Sequence, residues 1–332
     1  MLPPVSVLWL NYNSMHLIDI TKKSIDALMQ LDYTNLEVIL LDNNSSDGSR
    51  EVIEKYLSEK ENQPVKVRFV KLKKNWGWAG AINIAYNLRK PNSKYLALTH
   101  NDVIPNSDYL MKIVSFLENH KDVGVVQGVV VKLGEESVVD SSGFMINEAL
   151  LVSSSYNGGA VAKFCKPAYV SIVEGTMPVY NLDAVKNTLG NNKELFVTAG
   201  FMYYLEDAFV SLRLWANGYK CMVLPIIVGS HYRMGTSNKA AKKQELFYYL
   251  LRNRIALLYM TNSASKLGFT TQNMRKLIVS NRTVAERKAI LVALVDGIRL
   301  GLRLKRKYGL IDLYSAPLIR GSLKSRLFHW LH

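Results

Sequence analysis

Lys94-Tyr-Leu-Ala-Leu-Thr-His-Asn-Asp-Val-Ile-Pro105 is an apolar run that stops on polar residues, with a carboxylate, Asp102, just beyond its end. Its length predicts a buried strand over Tyr95–Thr99. Ligands of open α/β sheets bind outside the carboxyl ends of the strands, so this is where a nucleotide-binding sheet would hold a diphosphate and its cation. The same alternation runs upstream. Strands are expected over Val5–Leu10, Leu36–Leu41 and Val65–Val70, and helices over His16–Leu31, Ser49–Leu57 and Ala79–Leu88. Downstream, Asn106–Asn119 reads as helix and Val123–Val131 as a buried β-branched run. Strands alternating with helices imply a mostly parallel sheet covered on both faces, and continuous rather than alternating apolarity agrees with that.

Beyond residue 131 the rhythm breaks. Ser141-Ser-Gly, Ser153-Ser-Ser and Asn157-Gly-Gly make 132–168 a turn-rich stretch, either a surface excursion or a mobile lid over an acceptor. Regular structure is expected again at Tyr169–Val173, in a helix over Glu206–Asn217 closed by Gly218, and in a short strand over Tyr219–Leu224. Gln244–Tyr259 and Val284–Lys307 read as helices. The expected division is a catalytic unit over 1–262, with halves 1–120 and 121–262, followed by a helical appendage over 263–332.

Charge divides in the same place. The chain has 332 residues and a formal net charge of +15. Residues 263–332 hold 14 Lys and Arg against 3 Asp and Glu, whereas the preceding 262 hold 28 against 24. A near-neutral body argues against a nucleic-acid-binding fold, whose basic stripe runs through the fold itself. Two cysteines, Cys165 and Cys221, without a CxxC pair or Cys/His cluster, exclude a disulfide scaffold and a zinc finger and favour a reducing compartment. Pro3 and Pro4 lead into the first strand with no secretory signal ahead of them.

Four polar loops fall on the carboxyl edge of the expected sheet. Asn11-Tyr12-Asn13 follows strand one, Asp42-Asn43-Asn44 follows strand two, Asn75-Trp76-Gly77-Trp78-Ala79-Gly80 follows strand three, and Asn101-Asp102 follows strand four. Amides and carboxylates there suit a base edge and a ribose, and small residues before a helix let an anion approach free N–H groups. Asx-rich turns also merely cap helices, but four on one edge point to a site. Trp76 and Trp78 are expected in the core, and Arg252-Asn-Arg254 either grips a phosphate or is a solvated face.

These segments resemble family 2 glycosyltransferases of the GT-A fold. The resemblance rests on Val5-Ser-Val-Leu-Trp-Leu-Asn-Tyr-Asn, Leu41-Asp-Asn-Asn-Ser-Ser-Asp-Gly-Ser, Asn75-Trp-Gly-Trp-Ala-Gly-Ala-Ile-Asn83 and His100-Asn-Asp-Val. Further support comes from Glu174-Gly-Thr-Met-Pro-Val, Leu205-Glu-Asp-Ala-Phe-Val-Ser-Leu-Arg213 and His231-Tyr-Arg-Met-Gly-Thr-Ser237. Together they span about residues 4–255, and the branch suggested includes rhamnosyltransferases.

The resemblance implies a donor pocket for a nucleoside-diphosphate sugar. Asn11, Asn13, Asp42 and Asn44 would lie at the nucleoside, and Asn75, Gly80 and Asn101 would line the pocket. Asp102 and His231 would hold a divalent Mg or Mn. Asp207, beside Glu206 in the helix that bears the acid pair, would be the general base of an inverting transfer to a saccharide or lipid-linked acceptor. His100 stands where relatives carry an acid or Asn, and Phe209 where many carry a second Asp.

The tail from 285 to 332 alternates Ile290, Leu291, Leu294, Val295, Ile298 and Leu302 with basic residues. Too polar to span a bilayer, it reads as a basic amphipathic surface, either lying on an anionic membrane at its cytoplasmic inner face or packing on the catalytic unit. Two other functions share parts of this pattern. A sugar-phosphate nucleotidyltransferase would need a Gly-rich basic triphosphate loop after strand one, which Asn11-Tyr-Asn-Ser-Met-His16 lacks. A nucleic-acid-binding protein would need the basic stripe absent from 1–262.

Overall fold

β1 (Val5–Asn11) is buried at every position and lies between two parallel neighbours, β2 (Leu36–Asp42) and β4 (Tyr95–His100). β3 (Val67–Lys71) extends the sheet beyond β2. The crossover helices are α1 (Ile18–Met29), α2 (Ser49–Ser58) and α3 (Gly77–Leu88). Side chains alternate across the sheet. Leu8 and Leu10 join a core with Ile82 and Ala85 of α3, and Val7 and Trp9 join the opposite core with Ile25 and Leu28 of α1. This is the expected parallel frame, in a computed structural model that describes residues 2–60, 63–153, 157–190, 194–196, 205–233, 240–279 and 283–319.

The second half adds β5 (Val103–Pro105), α4 (Tyr109–Asn119), β6 (Val123–Lys132) and β7 (Glu135–Ser141). Three two-residue pieces follow: β8 (Met145–Ile146), β9 (Val152–Ser153) and β10 (Ala168–Tyr169). After them come β11 (Val179–Asn181), α5 (Leu182–Leu189), α6 (Glu206–Ala216) and β12 (Lys220–His231). The main sheet runs β10-β12-β6-β11-β4-β1-β2-β3, with β5 on β12 and β7 on β6. β11 is antiparallel to both its neighbours. It joins the β3-β2-β1-β4 block to the parallel β6–β12 pair, so the fold is mixed α/β with a mostly parallel sheet between helices.

Three local expectations change. Residues 132–168 are not all loop, because β7 pairs antiparallel with β6 after a turn at Gly134. Its first three residues are exposed, so its pattern lacks the apolar alternation of a covered strand. Of Tyr169–Val173 only Tyr169 lies in a strand, with Ile172 bridging Phe144. β12 does not stop near Leu224. It continues through Pro225 and two register shifts to His231, and Gly229 is needed there because a Cβ would stand 2.6 Å from the Ile104 carbonyl oxygen.

α7 (Ala240–Met260), α8 (Lys266–Val279) and α9 (Val284–Tyr308) follow. A capping box between Thr283 and Glu286 starts α9. Its apolar residues do not form one stripe. Ile290, Leu294, Leu300 and Leu304 are buried, whereas Leu291, Val295 and Leu302 are exposed. The buried face meets α7 closely at Gly301, where a Cβ would lie 2.5 Å from the Ala256 carbonyl oxygen. Ala256 to Leu258 and Leu300 share the core with β1 and α3. The expected segment Leu323–His332 lies outside the described residues.

Candidate active site

The carboxyl-edge loops hold one another through side-chain amides. Asn11 Nδ2 donates to Asp42 Oδ1 at 2.9 Å, and Asn11 Oδ1 accepts from Asn101 Nδ2 at 3.0 Å, tying the loops after β1, β2 and β4. Asp42 is fully buried, and its carboxylate also accepts the Ser45 N–H at 3.0 Å and the Ser45 hydroxyl at 2.6 Å. Asn13 and Asn44 take left-handed backbone conformations that Asn tolerates better than most residues, and Asn13 Oδ1 accepts the Ser46 N–H. Asn11, Asn13 and Asp42 therefore tie the loops together, and neither they nor Asn44 line the cavity. Gly80 is likewise buried within α3.

That cavity, about 500 Å³, has the size of a small-molecule site. Tyr12, His16, Asn43 and Asn75 line one side, and Trp78, Asn101, Asp102, Thr176 and His231 the other. Asn43 was not singled out from sequence. It donates to Asn75 Oδ1 at 2.9 Å and accepts the Trp76 N–H at 2.9 Å, joining the second and third loops. Asp42 ends β2 with its carboxylate held by Asn11 and Ser45, and Asn43, the next residue, is the one on the cavity wall.

Trp76 is not in the core. It is 49% exposed, with Lys74 Nζ 3.8 Å from its ring centre. Trp78 is half-buried, packs on Phe196 at 4.7 Å between ring centres, and aims Nε1 at His100 Nδ1, 3.4 Å away. His100 Nε2 lies 3.0 Å from the Gly175 carbonyl oxygen. Both imidazole nitrogens are thus engaged. Burial holds His100 below its ordinary pKa against the pull of Asp102, so it is a neutral structural histidine with no lone pair to spare for a cation.

Asp102 and His231 meet at the rim, with Oδ2 3.3 Å from Nε2. β5 makes this possible: it pairs with the end of β12, and Tyr232 N–H donates to the Asp102 carbonyl. The other face of the ring is held by Asp140, whose Oδ2 lies 2.7 Å from Nδ1. Burial drives His231 down, but hydrogen bonds to Asp102 and Asp140 reverse this and raise it to about 9. Burial pushes Asp102 up, and the hydrogen bond and charge of His231, the charge of His100 and a backbone hydrogen bond together outweigh it, leaving Asp102 below the usual carboxylate range.

Across Gly175 the chemistry changes sign. Asp207 lies in the first turn of α6 and accepts the Ala208 N–H at 2.8 Å. Burial raises its pKa to about 6, against lowering contributions from the Ala208 and Gly175 N–H groups. Glu174, buried, is raised to about 7 by desolvation against hydrogen bonds from Ser141 and Asn157, and the nearby Asp207 charge adds to the rise. Glu206 is also buried in this turn. Asp207 is not on the cavity wall. The Gly175 peptide stands between, its carbonyl on His100 and its N–H toward Asp207, while Thr176 reaches the wall.

Among the described residues no three His, Cys, Asp or Glu donors converge as a closed metal site. Asp102 and His231 form a two-donor rim, and their 3.3 Å separation is close to the roughly 3 Å between adjacent ligands of an octahedral cation with bonds near 2.1 Å. Such a pair suits a cation whose remaining ligands come from a bound diphosphate. Arg254 does not form a solvated face. It is partly buried 5.8 Å from the Phe269 ring centre, beside a separate cavity of about 320 Å³ between α7 and α8. Residues 234–237 of the His231 motif and 154–155 of the Ser153 run lie outside the described residues.

Comparison with known proteins agrees with this arrangement. The profile of the family described as glycosyl transferase family 2 matches residues 6–188. A Haemophilus influenzae protein described as an uncharacterized glycosyltransferase is 29% identical over 286 residues, covering 80% of each chain. Among solved structures, S. aureus TarS 1–349 in complex with UDP-GlcNAc superposes with a TM-score of 0.54 at 17% identity, over 90% of this chain and 81% of that one. The chain spans about half, 49%, of another TarS structure. The mannosyltransferase PcManGT of Pyrobaculum calidifontis, in complex with GDP-Man and Mn²⁺, gives 0.50 at 16% identity, over 99% and 79%. The structural likenesses establish the GT-A fold. The profile covers more than half of the chain, including β2 to β4 and the loops after β1 to β4, and by that match the chain belongs to glycosyl transferase family 2.

Proposed function

We propose that the protein transfers a sugar from a nucleoside-diphosphate donor to a hydroxyl of a saccharide or lipid-linked acceptor, with inversion and with help from Mg or Mn. The observation that carries this reading is one cavity with a charged Asp102–His231 rim and a proton-accepting Asp207 one peptide behind Gly175. Tyr12, Asn43 and Asn75 meet the nucleoside, on loops held rigid by Asn11, Asn13 and Asp42. Small residues over Gly77–Gly80 let the diphosphate approach the start of α3. Asp102 and His231 hold the cation, which when bound neutralises charge on the departing diphosphate.

Asp207 takes the proton from the acceptor hydroxyl as its oxygen bonds to the anomeric carbon. The bond from that carbon to the diphosphate oxygen breaks on the opposite side, and the electron pair leaves with the nucleotide. A base with a pKa near 6 is largely ionised at neutral pH yet basic enough to hold the proton. The nucleotide-sugar complexes of TarS and PcManGT, and the Mn²⁺ of the latter, support the donor class and the cation.

The same reading places the chain on the inner face of the cell membrane. No helix of the described residues is long and apolar enough to cross a bilayer. α8, however, exposes Leu267, Met274 and Ile278 along one side with Arg275 beside them, and α9 exposes Leu291 and Leu302 and ends in Lys305-Arg-Lys307. Apolar groups among cations suit an anionic interface. Co-sedimentation with vesicles containing anionic lipid, weakening as salt rises, is expected, and equal binding to neutral vesicles removes this placement. For the donor, a thermal-shift panel of UDP-, GDP- and dTDP-sugars with and without Mn²⁺ is decisive. One nucleotide should stabilise the protein, more so with Mn²⁺, and no response to any of them defeats the reading.

A further inference from the structure

We propose that Asp140 is the positioning residue of this site: by accepting the Nδ1–H of His231 it fixes the ring so that Nε2 faces Asp102, where a bound cation would take the place of the Nε2 proton. The inference deepens the reading of Asp102 and His231 as the cation rim and depends on it. Nothing in the sequence marked Asp140, which lies in the turn-rich stretch and reaches the site only because β7 folds back on β6 beside the end of β12.

The contacts form a directed chain. Arg233 Nε donates to Asp140 Oδ1 at 2.7 Å, and its Nη2 lies 3.1 Å from Oδ2. Asp140 Oδ2 lies 2.7 Å from His231 Nδ1, and His231 Nε2 lies 3.3 Å from Asp102 Oδ2. A carboxylate is an acceptor only, so the short contact at Nδ1 requires N–H there. Nε2, on the cavity side and in contact with Asp102, is then the nitrogen that would give up its proton to a cation. The Asp140 side chain is 6% exposed and Arg233 55% exposed, so the anchor is fastened from the surface inward. Histidines that ligate metals commonly give their second N–H to a carboxylate, which fixes the ring and raises its basicity. The Asp140–His231–Asp102 line has that order.

Asp140→Asn reverses the polarity. With Arg233 still donating to the amide oxygen, the NH₂ group turns to Nδ1. The ring must accept there and carry its proton on Nε2, where it blocks a cation. Mn²⁺ titrated into the full chain, alone and then with UDP or GDP, and followed by electron paramagnetic resonance at about pH 9 to limit proton competition for the ring, should bind the variant about 10–100-fold more weakly than the wild type. Nitrogen-15 spectra of the imidazoles, in the metal-free protein above about pH 10, should show His231 protonated at Nδ1 in the wild type and at Nε2 in the variant.

If Asp140→Asn fails to fold, Arg233→Gln, a change at a half-exposed side chain, should give a smaller loss in the same direction. Equal Mn²⁺ affinity in wild type and variants, or an Nε2–H tautomer in the wild type, overturns the role of Asp140 and leaves the proposed reaction standing. A wild type that binds no Mn²⁺ with or without nucleotide removes the cation rim itself, and this inference with it.

Discussion

Asp102 and Asp207 both sit at the ends of secondary-structure elements, and burial pushes both carboxyls up, yet they finish on opposite sides of the ordinary range. Asp102 has an imidazole as its hydrogen-bond partner, which favours the charged form. Asp207 has only peptide N–H groups, which do not recover the full cost of desolvation. Burial alone therefore does not tell what an acid can do. The partner makes Asp102 a standing charge that attracts a cation, while its lack leaves Asp207 able to take up and release a proton. Environments that drive two acids apart in this way separate electrostatic from acid–base roles.

The strongest way to break this contrast is at the base. Asp207→Asn should lower kcat by about a thousandfold while the thermal shift induced by the nucleotide-sugar stays intact; an active variant removes Asp207 from the role. Asp102→Ala should lower kcat/KM by roughly a hundredfold and erase the Mn²⁺-dependent part of that shift, and an unchanged Mn²⁺ response contradicts its place on the rim.

A pH profile sharpens the same distinction. The pKa of Asp207 is raised to about 6, so its basic form is lost as pH falls through that value, and kcat should decline about tenfold per pH unit below it. An acid limb centred near 4 would mean an unperturbed carboxylate. The smallest effect is on stability. Glu174 is raised to about 7 from the ordinary 4.5 of a glutamate, so the unfolded chain releases its proton first and stability falls as pH rises from about 4.5 to 7. Glu174→Gln should remove that decline, a difference on the order of 3 kcal/mol at pH 8 and near zero at pH 4. Melting temperatures at the two pH values test it.

The same contrast governs how much was legible beforehand. β1, β2 and β4 announced themselves because strands covered on both faces are continuous apolar runs, and the loops at their ends follow from chain direction alone. Asp102 and Asp207 were reachable because each lies in or next to a well-marked element, and His231 only through the resemblance of its motif. Asp140 and the course of β12 past Leu224 were not, since an edge strand with exposed Glu135 and Glu136 and a strand containing Pro225 and Gly229 both depart from the periodic patterns. Asp42 and Asn43 were indistinguishable as neighbours; both are buried, and only the tertiary arrangement puts Asn43 and not Asp42 on the cavity wall.

Local order along the chain thus specified the parallel frame, its polar edge and the identity of most reactive groups, because burial on both faces and turn chemistry are written in consecutive residues. Which face of α9 packs, which imidazole is spent on Gly175 and which is held by Asp140, and which carboxyl stays charged were settled by contacts between residues tens of positions apart. Hydrogen-bond partners and desolvation act through space, and a linear pattern carries no distance.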